Sequence, residues 1–255
     1  MKTTKKLRLA VLGTIFTLGL AGSALAEDAP KPTADLNVAF LSQYVWRGFV
    51  YSRDSLVIQP SMTVAYKGVG VNLWGNLDTK QYSVDPATDK TSNYNETDLT
   101  LSYDGSAGMF GYGAGYILYS VEGLKDSQEF YAKASVNTLL TPTLTVYKET
   151  TGLQGWYAKL GVAHTLELTK DVKLALGASA AYLDDENDYN ALHDGVLSAT
   201  LSLPVATYIT VSPQLYYSFP LSSKAKDKLQ AANSGAIDKS KADFVYGGVA
   251  VDFAF

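Results

Sequence analysis

Cysteine is absent from the whole chain, so no disulfide, thiolate nucleophile or thiolate metal site is available. Long apolar runs are also missing. Although 47% of the 255 residues are hydrophobic, no interior stretch approaches the ~20 apolar residues that a spanning helix requires. Beyond Ala34 there is no long helical period either. Histidine occurs only as His164 and His193. Positive charge is the next shortage. The first 26 residues carry four of the 21 basic residues and no acidic one, so without them 17 face 25 acidic residues, a net charge of −8. A chain of that balance is a poor nucleic-acid binder.

The N-terminal segment has the form of an export signal. Lys2, Lys5, Lys6 and Arg8 precede an apolar core from Leu9 to Leu20, and Ala24-Leu25-Ala26 forms a small-residue cleavage site before Glu27. Residues 1–26 are therefore expected to be removed on export. Glu27 to Ala34, with two prolines, reads as a short periplasmic lead, and residues 35–255 as one domain.

That domain is dominated by two-residue alternation, the period of a strand with one apolar face. Twelve strands are predicted: Asp35 to Arg47, Ser55 to Tyr66, Val69 to Asp78, Tyr94 to Tyr103, Met109 to Ser120, Gln128 to Thr138, Thr143 to Glu149, Gly155 to Glu167, Val172 to Tyr182, Gly195 to Leu203, Ala206 to Ser218, and Phe244 to Phe255. Lys67-Gly68, Asp104-Gly105-Ser106 and Lys170-Asp171 read as turns, and the stretches Thr79 to Asn93, Leu183 to His193 and Pro220 to Ala242 as loops. The connections after even-numbered strands are short and those after odd-numbered strands mostly longer. The pattern predicts an all-β protein: a transmembrane antiparallel β-barrel of 12 strands with short periplasmic turns and longer outer loops, in the outer membrane of a Gram-negative cell. A soluble barrel has no reason to sort its loops in this way.

Aromatic residues on the apolar parity cluster at strand ends. Tyr66, Tyr103, Phe110, Phe253 and Phe255 fall near the inner ends, and Trp46, Trp156, Tyr182 and Tyr217 near the outer ends. Two girdles of this kind are expected where rings meet lipid headgroups. The opposite parity supplies candidate pore-lining residues: Gln43, Arg47, Trp74, Glu96, Asp98, Glu129, Tyr131, Lys133, Tyr157, Lys159 and Lys173. They mix both signs, as either a water-filled lumen or a salt-bridged plug would. Arg47 either binds anionic solutes at a constriction or pairs with a lumenal carboxylate. Tyr119, Tyr131 and Tyr157 either fill the lumen or line a sugar path.

Ser42-Gln43-Tyr44-Val45-Trp46-Arg47-Gly48, Gln59-Pro60-Ser61 and Asn72-Leu73-Trp74-Gly75 together resemble the TorF-type family of Gram-negative outer-membrane porins. The resemblance covers the first three strands. It implies a barrel and a pore, and no catalytic residues.

No enzyme is expected. An outer-membrane phospholipase needs a Ser-His pair at the lipid boundary; His164 takes the apolar parity, but no serine motif matches it. Asp184-Asp185-Glu186-Asn187-Asp188 lacks the glycine and final glutamate of a calcium loop, so no metal and no cofactor is assigned. The expected partners are outer-membrane lipid and lipopolysaccharide, small hydrophilic solutes, and the barrel-assembly machinery acting on the C-terminal strand. The expected function is passive passage of solutes through a narrow lumen; the alternative is a closed structural barrel working through its outer loops.

Overall fold

The computed structural model describes residues 31–52, 55–80, 93–151, 155–185, 187–233 and 241–255. The stretch expected to be a signal segment, most of the loop after Asp78 and the segment 234–240 lie outside the described residues.

The alternating stretches form β1 (Thr33–Leu41), β4 (Val57–Tyr66), β5 (Val69–Asp78), β6 (Asn93–Ala107), β7 (Phe110–Val121), β8 (Ser127–Val136), β9 (Thr143–Glu149), β10 (Trp156–Glu167), β11 (Lys173–Asp184), β12 (Asn190–Ala206), β13 (Ile209–Pro220) and β14 (Phe244–Ala254). Among the described residues two short strands, β2 (Val45–Trp46) and β3 (Phe49–Val50), pair only with each other, and one helix, α1 (Ser223–Asn233), precedes β14. The twelve long strands form a closed barrel. Each pairs antiparallel with its neighbours in the chain, and β14 returns to β1 with Asp35 opposite Ala254 and Leu41 opposite Gly248. Among the described residues, closure gives each of the twelve barrel strands a neighbour on both sides, where an open edge in an apolar surround would be penalised.

Side-chain parity divides the wall. Phe130 is 54% exposed and its neighbour Glu129 2%; Trp156 is 45% exposed and Tyr157 4%; Leu192 is 57% exposed and His193 fully buried. Met62, Leu73, Leu101, Leu160, Leu176 and Leu215 continue the exposed apolar surface around the barrel. Inside, polar groups satisfy one another. The Asn37 side-chain amide donates to Asp252 Oδ1 at 2.6 Å, Gln59 donates to Asn76 Oδ1 at 3.1 Å, and Asn76 donates to Asn95 Oδ1 at 2.8 Å. Buried polar groups need such partners.

Connections at one end of the barrel are tight: 67–68, 108–109, 137–142, 168–172 and 207–208. At Lys67-Gly68 both residues have positive φ, 49° and 85°, as a two-residue hairpin turn matching strand twist requires. The other end holds 42–56 and 221–243, the longest connections.

Four local expectations change. The first strand ends at Leu41 rather than at Arg47, because Ser42 leaves the β1–β4 ladder and the chain folds back on itself. β6 runs through Asp104-Gly105-Ser106 to Ala107, so its turn falls at 108–109. β12 begins at Asn190, and His193 therefore stands in a strand rather than a loop; an irregularity between Ala180 and Tyr182 lets the pairing with β11 continue that far. Finally, the polar stretch after Pro220 contains a helix. Ser222 Oγ accepts the Ala225 amide at 3.1 Å, a side-chain N-cap. Ala225, Leu229 and Asn233, spaced four apart, form its buried face.

Candidate functional site: a hairpin across the lumen

Between β1 and β4 the chain makes the β2–β3 hairpin. Its turn is Arg47-Gly48, with φ of 51° and 78°. Glycine meets the second requirement at no steric cost, whereas Arg47 holds a left-handed conformation that costs about 1–2 kcal/mol and that its contacts must offset. The base of the hairpin packs in an interior apolar cluster of Tyr44, Val50, Val57, Tyr216, Phe244 and Tyr246. Tyr44 lies 5.7 Å, centroid to centroid, from Trp74 on β5.

From this base the hairpin reaches across the barrel. Trp46 stands edge-on to Tyr119 of β7, with centroids 6.0 Å apart. The Arg47 guanidinium donates twice to Glu129 of β8, at 2.8 and 2.7 Å. Tyr119 donates to the same carboxylate at 2.8 Å. The guanidinium carbon also lies over three rings: Trp46 at 4.2 Å, Tyr157 at 4.2 Å and Tyr147 at 4.9 Å. Tyr157 in turn donates to Asp194 Oδ1 at 3.0 Å. His193 Nε2 lies 3.1 Å from the Arg47 carbonyl oxygen, and Tyr189 Oη lies 2.6 Å from His193 Nδ1. Residues of β7, β8, β9, β10 and β12 thus converge on one hairpin tip.

The bidentate geometry is the strong form of an arginine–carboxylate contact. It sits where both partners are withdrawn from water, with side-chain exposures of 11% and 3%. The charge is thereby neutralised in place, and the aromatic faces add cation–π attraction of roughly 0.5–2 kcal/mol each at most. Arg47 therefore takes the second of its two expected roles, pairing with a lumenal carboxylate, although it stands on an infolded hairpin rather than in strand one.

The other sequence candidates distribute as follows. Gln43 is buried at the start of the infolded segment. Trp74 and Asp98 are register partners on β5 and β6, and Glu96 stands opposite Asn76. Tyr131 is opposite Tyr147, which is opposite Tyr157, all inward. Lys133 reaches Asp104 at 2.7 Å and Lys173 reaches Glu167 at 3.2 Å. Lys159 shares its register row with Thr145 and Ala181, which are buried.

Of the girdle candidates, Tyr66, Tyr103, Phe110, Trp156, Tyr182, Tyr217 and Phe255 are exposed on the outer face, and Phe253 is half-buried opposite Leu36. Phe255 stacks on Tyr208 at 6.4 Å. Trp46 is the exception: it belongs to the hairpin and touches Arg47 and Tyr119, because the chain has turned inward before reaching it.

Tyr147, His193, Asp194 and Asn233 entered no sequence-based site. Asn233 Oδ1 accepts the Val50 amide at 3.0 Å, which ties α1 to the hairpin. His164 is bound to the β8–β9 turn, with Nδ1 2.9 Å from the Leu139 carbonyl oxygen. Of the acidic loop, Asp185 accepts the Asn187 and Tyr189 amides at 2.9 and 3.2 Å and pairs with Lys228 of α1. Among the described residues no cluster of three acidic, histidine or cysteine side chains has the geometry to hold a metal ion.

A closed twelve-strand antiparallel barrel with an apolar outer face, a polar interior and an infolded loop has the architecture of the outer-membrane porins. Two solved folds of this kind are similar to it. KdgM porin superposes with a TM-score of 0.53 at 14% identity, covering 88% of this chain and 99% of that one. NanC porin gives 0.53 at 10% identity, covering 86% and 98%. A second KdgM structure, in complex with disordered oligogalacturonate, gives 0.52 at 12% identity, covering 88% and 99%. No protein-family model and no curated protein sequence matches the chain.

Proposed function

We propose that the chain is a non-enzymatic outer-membrane channel of the porin type, passing small hydrophilic solutes by passive diffusion through a lumen narrowed by the β2–β3 hairpin. The observation that carries this reading is the parity of the wall. A belt of exposed Leu, Met, Phe and Tyr side chains encloses an interior rich in Asn, Gln, Ser, Asp and Glu beside the apolar cluster at the hairpin base, the reverse of a soluble barrel. The belt suits outer-membrane lipid, with the long loops on the outer side among lipopolysaccharide and the tight turns in the periplasm. The export leader expected in residues 1–26 and the C-terminal aromatic strand, read as a signal for the barrel-assembly machinery, agree with that location. The TorF-type resemblance also agrees: its matched residues Tyr44 and Trp74 meet at the base of the hairpin.

The interior charges bear on the solute. The oligogalacturonate of the KdgM complex is a polyanion. In this chain Arg47 is held by Glu129, Lys133 by Asp104 and Lys173 by Glu167. Those ion pairs leave less positive potential for a polyanion, so neutral or weakly charged solutes fit better.

One observation favours the second reading, a closed barrel acting through its outer loops: the hairpin tip meets the opposite wall. Planar-bilayer recording of the refolded full chain separates the two. Steady current steps are expected, and a silent membrane would leave the closed barrel.

A further inference from the structure

The hairpin is held from two sides. Below, Arg47 sits on Glu129. Above, α1 lies on the turn. Leu229, fully buried, is packed so closely on Gly48 that a Cβ there would come within 3.0 and 3.1 Å of its methyl carbons. One side chain, Asn233, meets two backbone groups of the hairpin. It accepts from the Val50 amide at 3.0 Å and donates to the Gly48 carbonyl at 3.4 Å. The helix itself is fastened to the loop before β12 and to the first residues of that strand. Lys228 pairs with Asp185, Lys224 Nζ donates to the Asp188 and Asn190 carbonyls at 3.2 and 3.3 Å, and Ser222 Oγ donates to the Leu192 carbonyl at 2.8 Å.

These two attachments differ in kind. The Arg47–Glu129 pair is deep and bidentate. The outer fastening uses polar contacts at the surface, with Lys224 exposed. α1 has 11 residues, and its buried face is Ala225, Leu229 and Asn233. A helix of that length is not stable without docking. The element covering the hairpin is therefore the one most easily detached.

We propose that α1 is a latch: while docked it holds the β2–β3 hairpin across the lumen, and its displacement at the outer surface frees the hairpin to move. The effect on solute passage rests on the channel reading; the latch itself is a packing relationship and is measurable apart from it. Lys224, which is exposed, is the part of the fastening that a surface event reaches first, with the Asp185–Lys228 pair behind it.

The chain has no native cysteine, so Val50→Cys introduces a single thiol at a buried hairpin position. The full-length protein carrying it is reconstituted in lipid vesicles and treated with a membrane-impermeant maleimide, with heat-modifiable migration on gels confirming a closed barrel. Adding Leu229→Ala with Asn233→Ala is expected to speed labelling about tenfold, because two buried hydrogen bonds and an apolar contact are lost. Should that pair fail to close into a barrel, Lys228→Ala alone, at the surface fastening, is expected to speed it about threefold. Unchanged labelling in a folded variant overturns the latch, whatever the conductance. Faster labelling with a raised mean conductance supports both the latch and the channel. Faster labelling in a protein that never conducts upholds the latch and removes the channel reading.

Discussion

The guanidinium of Arg47 and the carboxylate of Glu129 face each other through two hydrogen bonds of 2.8 and 2.7 Å. The two residues are far apart in sequence, one on a hairpin turn and the other near the start of β8. Removing either alone leaves a charge without its partner in a site closed to water. Glu129→Ala or Arg47→Ala is expected to cost roughly 3–5 kcal/mol, whereas replacing both by apolar residues of similar volume, Arg47→Met with Glu129→Leu, is expected to cost far less. Urea unfolding in detergent micelles, followed by tryptophan fluorescence, measures the cycle. A double-variant loss as large as the two single losses added together would show that the pair is not coupled.

Asp185 gives the docking of α1 a pH dependence. Burial alone would raise its carboxyl. The Lys228 hydrogen bond and the Asn187 and Tyr189 amides outweigh that and hold it below the ordinary carboxylate range. A lowered native value means that the stabilisation is fully present above the unfolded value, about 3.9, and is lost as pH falls through the native one. Hydrogen exchange of the α1 amides, corrected for intrinsic rate, is expected to be level from pH 5 to 8 and to accelerate below about pH 4. Asp185→Asn should remove that acid step; its persistence would place the titrating group elsewhere.

Much of this arrangement is written in the sequence and some is not. The barrel strands from β4 onward show themselves because each buries one parity and exposes the other. The hairpin does not, because Tyr44 and Trp46 continue the parity of Leu36, Val38 and Phe40 across Ser42, so the alternation runs on where the chain in fact turns. The missed signal was Arg47-Gly48, which repeats the basic-glycine turn of Lys67-Gly68 and has the same pair of positive φ angles. α1 stayed hidden because its apolar stripe rests on Ala225 and Leu229 among lysines and polar residues. The partners of Arg47 come from β7 to β12, and no local period reports which side chains meet across a barrel.

Gly68 supports the turn between β4 and β5 in a way that Gly108 does not support its own. Both have positive φ, but a Cβ at Gly68 would lie 2.5 Å from the Asp104 carbonyl oxygen, whereas one at Gly108 has nothing within 4 Å. Gly108→Ala is expected to show only the backbone cost of about 1 kcal/mol, and Gly68→Ala distinctly more. Thermal unfolding of the two variants side by side provides the comparison.

The last residues close the barrel. The Phe255 amide donates to the Ala34 carbonyl at 2.9 Å, and Phe253 stands opposite both Leu36 and Ile209. Deleting Phe253 to Phe255 unpairs the seam at its short-turn end. The truncated chain is expected to assemble poorly in the outer membrane and to lose heat-modifiable migration. Normal migration would show that the seam closes without them.

The most direct test of a porin-type function is single-channel recording in planar bilayers of the full chain beside a variant in which 43–51 is replaced by a short Gly-Ser link. The wild type is expected to give small, steady current steps and the variant larger ones, because the hairpin no longer crosses the lumen. Silence from both, with each folded as a closed barrel, would contradict a channel.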